Sequence, residues 1–411
     1  MILGIPKETV ADETRVAAVP ETVRKLIAMG IQVQVEKDAG AAASIPDQAF
    51  ADAGASLVSG KSALAADIIF KVRPPSAGEI AGMKKGATII SLMEPYGKSD
   101  TAAQLEARGV TGFALELVPR ITRAQSMDVL SSQSNLAGYR AVLEAADAYG
   151  RSFPMMMTAA GTVPPAKVLV MGAGVAGLQA IATAKRLGAV VSATDVRPAV
   201  KEQVESLGGK FVAVEDEEFK AAETAGGYAK EMSQAYQQKQ AALIAETIKS
   251  MDIVITTALI PGRPAPVLVS EAMLKEMKAG SVIVDLAAGQ GGNCPLTEKD
   301  KIVTRHGVTL IGHSNMPARL PEIASSLFAR NLLNFLGNIW DSEASALAID
   351  SSDEIVNGSM MQAVKQPAKT KAKTPKPANP AKTAKKKAAK KTARKAGSKP
   401  ASRSKTKSGD A

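Results

Sequence analysis

The sequence predicts an α/β protein with two doubly wound, parallel-sheet domains joined by long helices, plus a disordered basic C-terminal tail. Short apolar segments alternate with segments of helical periodicity along the first 364 residues, and a glycine-rich turn lies between one such strand and helix. The last 47 residues lose this periodicity and consist mostly of Lys, Ala, Pro, Thr and Ser. A chain of 411 residues is long enough for two domains of ordinary size.

The beginning of the chain predicts the first sheet. A helix is expected at Glu21–Met29, where apolar positions have helical spacing and Gly30 follows. The strands expected around it are Met1–Gly4, Val33–Glu36, Ala66–Val72 and Thr88–Leu92. Alternation at this spacing favours parallel strands with helices on the faces of the sheet.

The middle and the end of the chain connect the two predicted domains. The polar segment Arg120–Ser131 leads into an expected helix at Ser134–Tyr149, and Phe153–Thr162 is expected to be a loop or hinge. A long helix is expected at Pro317–Trp340, returning the chain to the first domain. The predicted domains are a discontinuous N-terminal α/β domain of residues 1–132 and 312–364, a nucleotide-binding domain of residues 133–311, and a tail of residues 365–411.

The second sheet is expected to begin with a buried strand at Lys167–Met171, a helix at Val175–Leu187 and a strand at Val190–Thr194. A later helix is expected at Glu271–Lys278. Further expected strands are Asp252–Thr256, Val282–Leu286 and Val308–Ile311. The polar segment Glu215–Gln240 fits a mobile flap over a site and a disordered loop equally well.

A glycine turn joins the first strand of this second unit to its first helix. In its Gly-x-Gly-x-x-Gly spacing, Gly172 permits the tight turn, Gly174 lets the backbone approach a pyrophosphate, and Gly177 lets helix and strand pack closely. Phosphates would lie against the free N–H groups of the helix N-terminus. The turn predicts a Rossmann-like dinucleotide site with contacts from Gly172, Ala173, Gly174, Val175, Ala176 and Gly177.

An acid at the end of the next strand predicts which dinucleotide binds. Asp195 lies 18 residues after Gly177, near the spacing at which a carboxylate accepts hydrogen bonds from the adenosine ribose diol. A carboxylate there would repel a 2′-phosphate, so NAD(H) is predicted to bind in preference to NADP(H). Val196 and Arg197 complete the expected adenosine contacts, and the positive charge of Arg197 can weaken the preference.

Acid–base and nucleophilic candidates are few. Hydride transfer to a carbonyl or imine usually needs a proton donor, and the chain has two histidines, His306 and His313. His313 follows a predicted strand near the expected domain cleft, where a structural or ligand-contact role is favoured over acid–base chemistry. The single cysteine, Cys294, excludes an internal disulfide framework and is expected to be a small buried or loop residue.

Three longer strings resemble the alanine dehydrogenase and transhydrogenase family across residues 1–364. The start Gly4-Ile-Pro-Lys-Glu8, with Arg15 following, is shared by both branches. Two further strings look like the NAD(H)-binding subunits of the proton-translocating transhydrogenase branch: Arg120-x4-Gln125-x2-Asp128-x2-Ser131-Ser-Gln-Ser-Asn-Leu-Ala-Gly138-Tyr and Ala287-Ala-Gly-Gln-Gly-Gly-Asn-Cys294-Pro.

Two departures from the alanine dehydrogenase branch favour a transhydrogenase. Alanine dehydrogenases have a histidine after the strand corresponding to Thr88–Leu92, whereas Ser91–Tyr96 contains none. They also have an aspartate four residues after the acid equivalent to Asp285, where this chain has Gly289. Hydride transfer between two nicotinamide rings moves no proton at the reacting carbons and needs only apposition. An alanine dehydrogenase-like amino-acid dehydrogenase is the alternative.

The resemblance also implies roles for the polar segment. Asp128 and Ser131 would bond the nicotinamide carboxamide, and Arg120 would pair with Asp128. Gln125 would reach the nicotinamide ribose and the second nucleotide. Tyr228 matches the tyrosine of the family's mobile loop, which closes over bound nucleotide and excludes water.

The partners implied by the resemblance are a second copy of the chain and membrane transhydrogenase subunits that carry the NADP(H)-binding domain. Direct hydride transfer from NADH to NADP⁺ on that partner would be coupled to proton movement through the membrane subunits. The chain itself has no second glycine fingerprint, no visible signal peptide and no apolar run of bilayer length. It is expected to be soluble by itself and peripheral on the cytoplasmic face of the bacterial inner membrane, with NAD(H) as substrate and no metal.

The basic charge of the chain is confined to its tail. Residues 365–411 hold 17 Lys and Arg side chains and one acid, whereas the preceding 364 residues hold 34 basic and 39 acidic groups. Three interpretations of the tail stay open: contact with anionic lipid, contact with nucleic acid, or a solvated extension. If the tail binds nucleic acid, the chain would be a nucleic-acid-binding protein with a vestigial nucleotide fold. This would be a class of function different from both dehydrogenase and transhydrogenase.

Overall fold

The computed structural model describes residues 1–97, 100–220, 232–260 and 262–362. Two mostly parallel sheets with helices between their strands confirm the predicted fold class. The strands are β1 (Ile2–Ile5), β2 (Gln32–Glu36), β3 (Ser56–Val58), β4 (Ile68–Phe70), β5 (Thr88–Ser91), β6 (Thr111–Ala114), β7 (Met156–Thr158), β8 (Gly161–Val163), β9 (Lys167–Met171), β10 (Val190–Thr194), β11 (Lys210–Phe211), β12 (Ile253–Thr256), β13 (Val282–Asp285), β14 (Ile302–Arg305), β15 (Val308–Ile311), β16 (Trp340–Asp341) and β17 (Ala346–Leu347).

The helices lie between these strands and after them. They are α1 (Pro20–Ala28), α2 (Asp47–Asp52), α3 (Gly60–Leu64), α4 (Ala77–Gly82), α5 (Thr101–Arg108), α6 (Val129–Ala148), α7 (Val175–Arg186), α8 (Val200–Ser206), α9 (Glu217–Lys220), α10 (Gln234–Ile248), α11 (Glu271–Lys275), α12 (Pro321–Asn338) and α13 (Glu354–Ser359). Short 3₁₀ helices occur at Ala41–Ala43, Leu115–Leu117, Thr122–Met127, Ala288–Gln290 and Met316–Arg319.

The first sheet has the strand order β3-β2-β1-β4-β5-β6, and every pair in it is parallel. Its core includes the buried strand residue Leu3 and three aromatic or aliphatic side chains of the late helix α12, Phe328, Leu332 and Phe335. The burial of these side chains explains why the chain returns to the first sheet after completing the second.

The second sheet has the order β11-β10-β9-β12-β13-β15-β14. Only the edge strand β14 runs antiparallel, against β15, and the sequence did not predict this strand. The strand order reverses next to β9, which pairs with β10 on one side and β12 on the other. Ligands of open α/β sheets bind beyond the carboxyl ends of the strands at such a reversal, and the glycine turn directly follows β9.

Helix α6 belongs to both cores. Val129 at its start lies in the core of the first sheet, whereas Ala141, Val142 and Ala145 lie in the core of the second. The helix begins earlier than the predicted Ser134 because the carboxylate of Asp128 caps it.

The loop or hinge predicted at Phe153–Thr162 is wrong for most of that range, because β7 and β8 form an antiparallel hairpin there. The side chains of Met155, Met156 and Met157 are 59%, 41% and 81% exposed. Adjacent exposed methionines do not produce the alternation of apolar and polar residues by which a strand is recognised in a sequence. The hairpin therefore carries apolar side chains into solvent.

The long helix predicted at Pro317–Trp340 is present as α12 over Pro321–Asn338, but its predicted start is wrong, because a 3₁₀ turn precedes α12 and the two are separated at Leu320. Leu320 has φ −131° and ψ 58°, outside the helical region. The ring of Pro321 disfavours a helical conformation for the preceding residue but suits the first position of a helix. Trp340 lies beyond the helix, in β16.

Two predicted segments fall wholly or partly outside the described residues. The flap expected at Glu215–Gln240 is described only at its ends, in α9 and the start of α10, and Tyr228 lies outside the described residues. The basic tail of residues 365–411 lies outside them as well. Within the described ranges, every helix is too short or too polar to cross a membrane.

Candidate functional site

The glycine turn has the geometry that its spacing predicts. Gly172 has φ +100°, a conformation that favours glycine, and a Cβ there would lie 2.5 Å from the Thr257 hydroxyl oxygen. A Cβ on Gly177 would lie 1.9 Å from the carbonyl oxygen of Gly172. The lack of a side chain at both positions brings the start of α7 directly against the end of β9.

Gly174 differs from these two glycines because the space around it is open. A Cβ there would meet only one Arg197 guanidinium nitrogen, at 4.0 Å. Gly174 is also the N-cap residue of α7 and has no side chain to cap the first N–H groups. Open space beside uncapped N–H groups fits a pyrophosphate at this position.

Asp195, at the end of β10, accepts four hydrogen bonds within the protein. Its Oδ2 accepts from the Ala173 N–H at 2.8 Å and from Arg197 Nη2 at 2.9 Å. Its Oδ1 accepts from the Arg197 N–H and from Arg197 Nε, both at 2.9 Å. A carboxylate accepts about four hydrogen bonds in all, so this acid has little acceptor capacity left for the ribose diol.

The charge state of Asp195 follows from the same contacts. Burial by itself raises the pKa of Asp195, but the hydrogen bonds from Arg197 and from the Ala173 N–H outweigh burial and hold the pKa below its usual value. The acid is therefore ionised at neutral pH, and Arg197 neutralises its charge.

The polar segment predicted to handle the nicotinamide surrounds a cavity of about 310 Å³. Arg120 and Gln125 are exposed, whereas Asp128 and Ser131 are half-buried. The lining residues are Pro119, Arg120, Ile121, Thr122, Ala124, Gln125, Asp128 and Ser131. Four residues chosen from the sequence thus lie around one cavity.

Asp128 and Ser131 bond to each other at the start of α6. Asp128 Oδ1 accepts from the Ser131 N–H at 2.9 Å, and Asp128 Oδ2 accepts from the Ser131 hydroxyl at 2.5 Å. No ion pair joins Arg120 to Asp128 in the part of the chain that the structure describes, although both line the cavity. The predicted pairing of Arg120 with Asp128 is therefore not present among the described residues, because the Asp128 carboxylate bonds to Ser131 instead.

Helix α6 links this cavity to the glycine turn. A Cβ on Gly138 would lie 2.0 Å from the carbonyl oxygen of Ala176, so α6 crosses the first turn of α7 at backbone contact. Asn135 also donates to Gln179 across this crossing at 3.3 Å. Seven residues separate Ser131 from Gly138, about 10 Å of helix. The cavity and the glycine turn are therefore held by two helices in direct contact.

A buried polar cluster beside α6 was missed by the sequence analysis. The guanidinium of Arg15 donates to Glu13 Oε2 at 2.7 Å and to Gln133 Oε1 at 2.9 Å, and it lies 5.8 Å from the ring centre of Phe328. The family string singled out Arg15, but Gln133 and Phe328 are far from it in the chain, so no local pattern predicts these two contacts. The cluster joins the start of the chain to α6 and α12.

The remaining sequence candidates are poorly placed for chemistry. His313 is half-buried and burial lowers its pKa, which favours the neutral ring. Cys294 is fully buried and burial raises the pKa of its thiol, which disfavours a nucleophilic thiolate. Asp285 accepts from the Thr256 hydroxyl and from the N–H groups of Ala287 and Cys294. In the described ranges, no group of three or more His, Cys, Asp or Glu side chains is placed to hold a metal.

Two family models cover the residues that form this site. The N-terminal domain model of alanine dehydrogenase/PNT matches residues 4–137, and the C-terminal domain model matches residues 141–366. The chain belongs to the alanine dehydrogenase/PNT family. The boundary between the two matches lies within α6, the helix that joins the cavity to the glycine turn.

The proteins similar to this alanine dehydrogenase/PNT chain include transhydrogenases and alanine dehydrogenases. It is 54% identical over 380 residues to a Rhodospirillum rubrum protein named as an NAD(P) transhydrogenase subunit alpha, covering 90% of this chain and 99% of the relative. A solved transhydrogenase structure from Sinorhizobium meliloti has 54% identity and a TM-score of 0.81, covering 88% and 98% of the two chains. A solved L-alanine dehydrogenase is more distant, at 28% identity and a TM-score of 0.72, covering 88% and 96%.

Proposed function

We propose that this chain is the NAD(H)-binding subunit of a proton-translocating NAD(P) transhydrogenase of the Re/Si-specific type. The observation that carries the proposal is that the two predicted ends of a dinucleotide site, the glycine turn after β9 and the cavity at the start of α6, lie on contacting helices. The 54% identity to relatives named as transhydrogenases supports this branch over alanine dehydrogenase.

In this proposal NAD(H) is a substrate that the chain binds and orients. The N–H groups at the start of α7 hold the pyrophosphate, Asp195 and its neighbours hold the adenosine, and Asp128 and Ser131 hold the carboxamide. The dihydronicotinamide then gives its hydride directly to NADP⁺ on a partner subunit, forming NAD⁺ and NADPH. Gln125, which is exposed and lines the cavity, would reach the nicotinamide ribose and the incoming nucleotide.

The location of the chain follows from the same proposal. Its partners would be membrane subunits that carry the NADP(H)-binding domain and the proton path, which places the chain at the cytoplasmic face of the bacterial inner membrane. The basic tail would lie near anionic lipid there, an arrangement that favours Lys-rich segments. Contact with nucleic acid and a solvated extension without a ligand are the alternative interpretations of the tail.

The test combines the purified chain with membranes that contain the partner subunits but lack this chain. We expect hydride transfer from NADH to NADP⁺ only when both components are present. An NADP⁺ analogue whose reduced form absorbs at a different wavelength from NADH can serve as the acceptor. Sustained oxidation of NADH by the chain alone with pyruvate and ammonia would instead assign it to the alanine dehydrogenases.

Replacing Gln125 with asparagine is expected to slow hydride transfer about tenfold or more, because the shorter amide no longer reaches the nicotinamide ribose and the second nucleotide. NADH affinity should change less than threefold, since the pyrophosphate and adenosine contacts remain. Stopped-flow transhydrogenation and NADH titration measure the two quantities. Equal losses in rate and affinity would contradict this role and assign Gln125 to binding.

The exposed hairpin supports the homodimer that we propose for this chain. Met155, Met156 and Met157 would be desolvated against a second copy, as apolar side chains are at dimer interfaces. We expect Met157→Glu to shift the chain to monomer in sedimentation velocity experiments. Ile302→Glu is the matched control, because Ile302 is 56% exposed on the edge strand β14. A dimer that survives Met157→Glu unchanged would exclude the hairpin from the interface.

A further inference from the structure

The side chain of Arg197 occupies the region in which the proposed adenosine moiety must bind. Its Nε and Nη2 form a two-point contact with the carboxylate of Asp195, both at 2.9 Å. One of its guanidinium nitrogens also lies 4.0 Å from the Cβ position of Gly174, where the pyrophosphate is expected to approach the backbone. The guanidinium therefore contacts the acid and also lies close to the glycine turn at Gly174.

The contact uses the acceptor capacity that a ribose diol requires. Of the four hydrogen bonds to Asp195, two come from the Arg197 side chain and two from N–H groups of the backbone. The side chain of Asp195 is 6% exposed, so solvent offers it little compensation. A ribose diol gains two good acceptor positions only when the guanidinium withdraws.

Withdrawal of the guanidinium is possible because Arg197 is at the edge of the site. Its side chain is 33% exposed, and it follows Val196, which is 55% exposed beyond the end of β10. A long side chain at such a position can reach solvent without moving the backbone. The two backbone donors, from Ala173 and Arg197 itself, remain on Asp195 and keep it oriented.

We infer that Arg197 competes with the adenosine ribose for Asp195 and thereby sets the nucleotide specificity of the site. This inference rests on the proposed function, because that function identifies the bound nucleotide as NAD(H). While paired, Arg197 lowers the affinity for NADH, because binding must break the two-point contact. Once displaced, its guanidinium offers planar donors suited to a 2′-phosphate and offsets the repulsion of that phosphate by Asp195. The preference for NADH over NADPH is therefore smaller than Asp195 alone would give.

The test measures the affinities of the full chain for NADH and NADPH by titration calorimetry. Arg197→Ala should bind NADH about three- to fivefold more tightly, the range expected when a partly exposed ion pair no longer competes. It should bind NADPH about threefold more weakly, because the donors for the 2′-phosphate are lost. The preference for NADH should therefore rise about tenfold.

Two further variants separate competition from a general charge effect. Arg197→Lys should give an NADH affinity between wild type and Arg197→Ala, because an ammonium group cannot make the two-point contact. Lys201→Ala removes one positive charge from the neighbouring helix α8, where Lys201 pairs with Glu215 at 2.6 Å. This control should leave both affinities unchanged.

Each other outcome overturns the inference. Unchanged or weaker NADH binding by Arg197→Ala would mean that Arg197 does not compete, or that it supports the bound nucleotide. Equal shifts for NADH and NADPH would exclude a role in specificity. If the wild-type chain binds neither nucleotide, the proposed function itself fails. If the wild-type chain binds NADH and Arg197→Ala has the same affinities as wild type, only the inference fails.

Discussion

Replacing Gly177 with alanine is expected to weaken NADH binding by about two orders of magnitude. The new methyl carbon would lie 1.9 Å from the carbonyl oxygen of Gly172. That oxygen accepts from the Thr257 hydroxyl at 2.9 Å, so the strand end has little room to move. Helix α7 must therefore move away from β9, at a cost of about 3 kcal/mol, and its N–H groups lose their place beside the pyrophosphate. Calorimetric titration with NADH measures the loss.

Two alanine variants serve as controls for Gly177→Ala. Gly174→Ala places its methyl group in open space, so we expect unchanged thermal stability but weaker NADH binding, because the methyl group obstructs the pyrophosphate. Gly337→Ala in α12 has nothing within 4 Å of its Cβ position; it should leave NADH affinity unchanged and keep or slightly raise thermal stability, because alanine favours helix more than glycine does. NADH affinity within threefold of wild type in Gly177→Ala would show that the turn does not hold the nucleotide.

Replacing Gly138 with alanine is expected to slow hydride transfer about a hundredfold. Its methyl carbon would lie 2.0 Å from the Ala176 carbonyl oxygen and 3.0 Å from the Ala176 Cα. Ala176 precedes Gly177, which is held against β9, so α6 moves rather than α7. Asp128 and Ser131 move with α6, and a displacement of about 1 Å at a reacting centre costs about two orders of magnitude in rate.

The affinities for NADH and ADP-ribose show which contacts Gly138→Ala disturbs. ADP-ribose lacks the nicotinamide and should bind almost as well as it does to wild type, whereas NADH should lose affinity along with the transfer rate. The stability of Gly138→Ala should fall by about 1–3 kcal/mol, and Gly337→Ala again serves as the control. Equal losses for NADH and ADP-ribose would mean that the glycine turn, and not the cavity, had been displaced.

The parts of the fold that the sequence predicted well are those with local signals. The strand Lys167–Met171 is a continuous apolar run ended by the turn at Gly172, and the structure has the same bounds. The hairpin and the break before Pro321 were not predicted. Exposed methionines do not alternate with polar residues, and a proline inside an apolar pattern is compatible with either a helix start or a kink.

The candidate site also contains some features that local sequence signals predict and others that they do not. The spacing of Gly172, Gly174 and Gly177 identifies the turn, because Gly172 and Gly177 meet local requirements of the backbone and Gly174 leaves open space beside it. The crossing at Gly138 cannot be read from one helix alone, since it depends on where α7 lies. The contact between Arg197 and Asp195 depends on a side-chain conformation, and the sequence predicted an adenosine contact for Arg197 without predicting this ion pair.

The placement of α6 in both cores has a consequence for how the protein unfolds. Val129 lies in the core of the first sheet, and Ala141 and Val142 in the core of the second. A helix of 20 residues is held mainly by packing along its length, so neither sheet can lose its contacts with α6 without weakening the other. We therefore expect the two sheets to unfold in a single transition rather than one after the other.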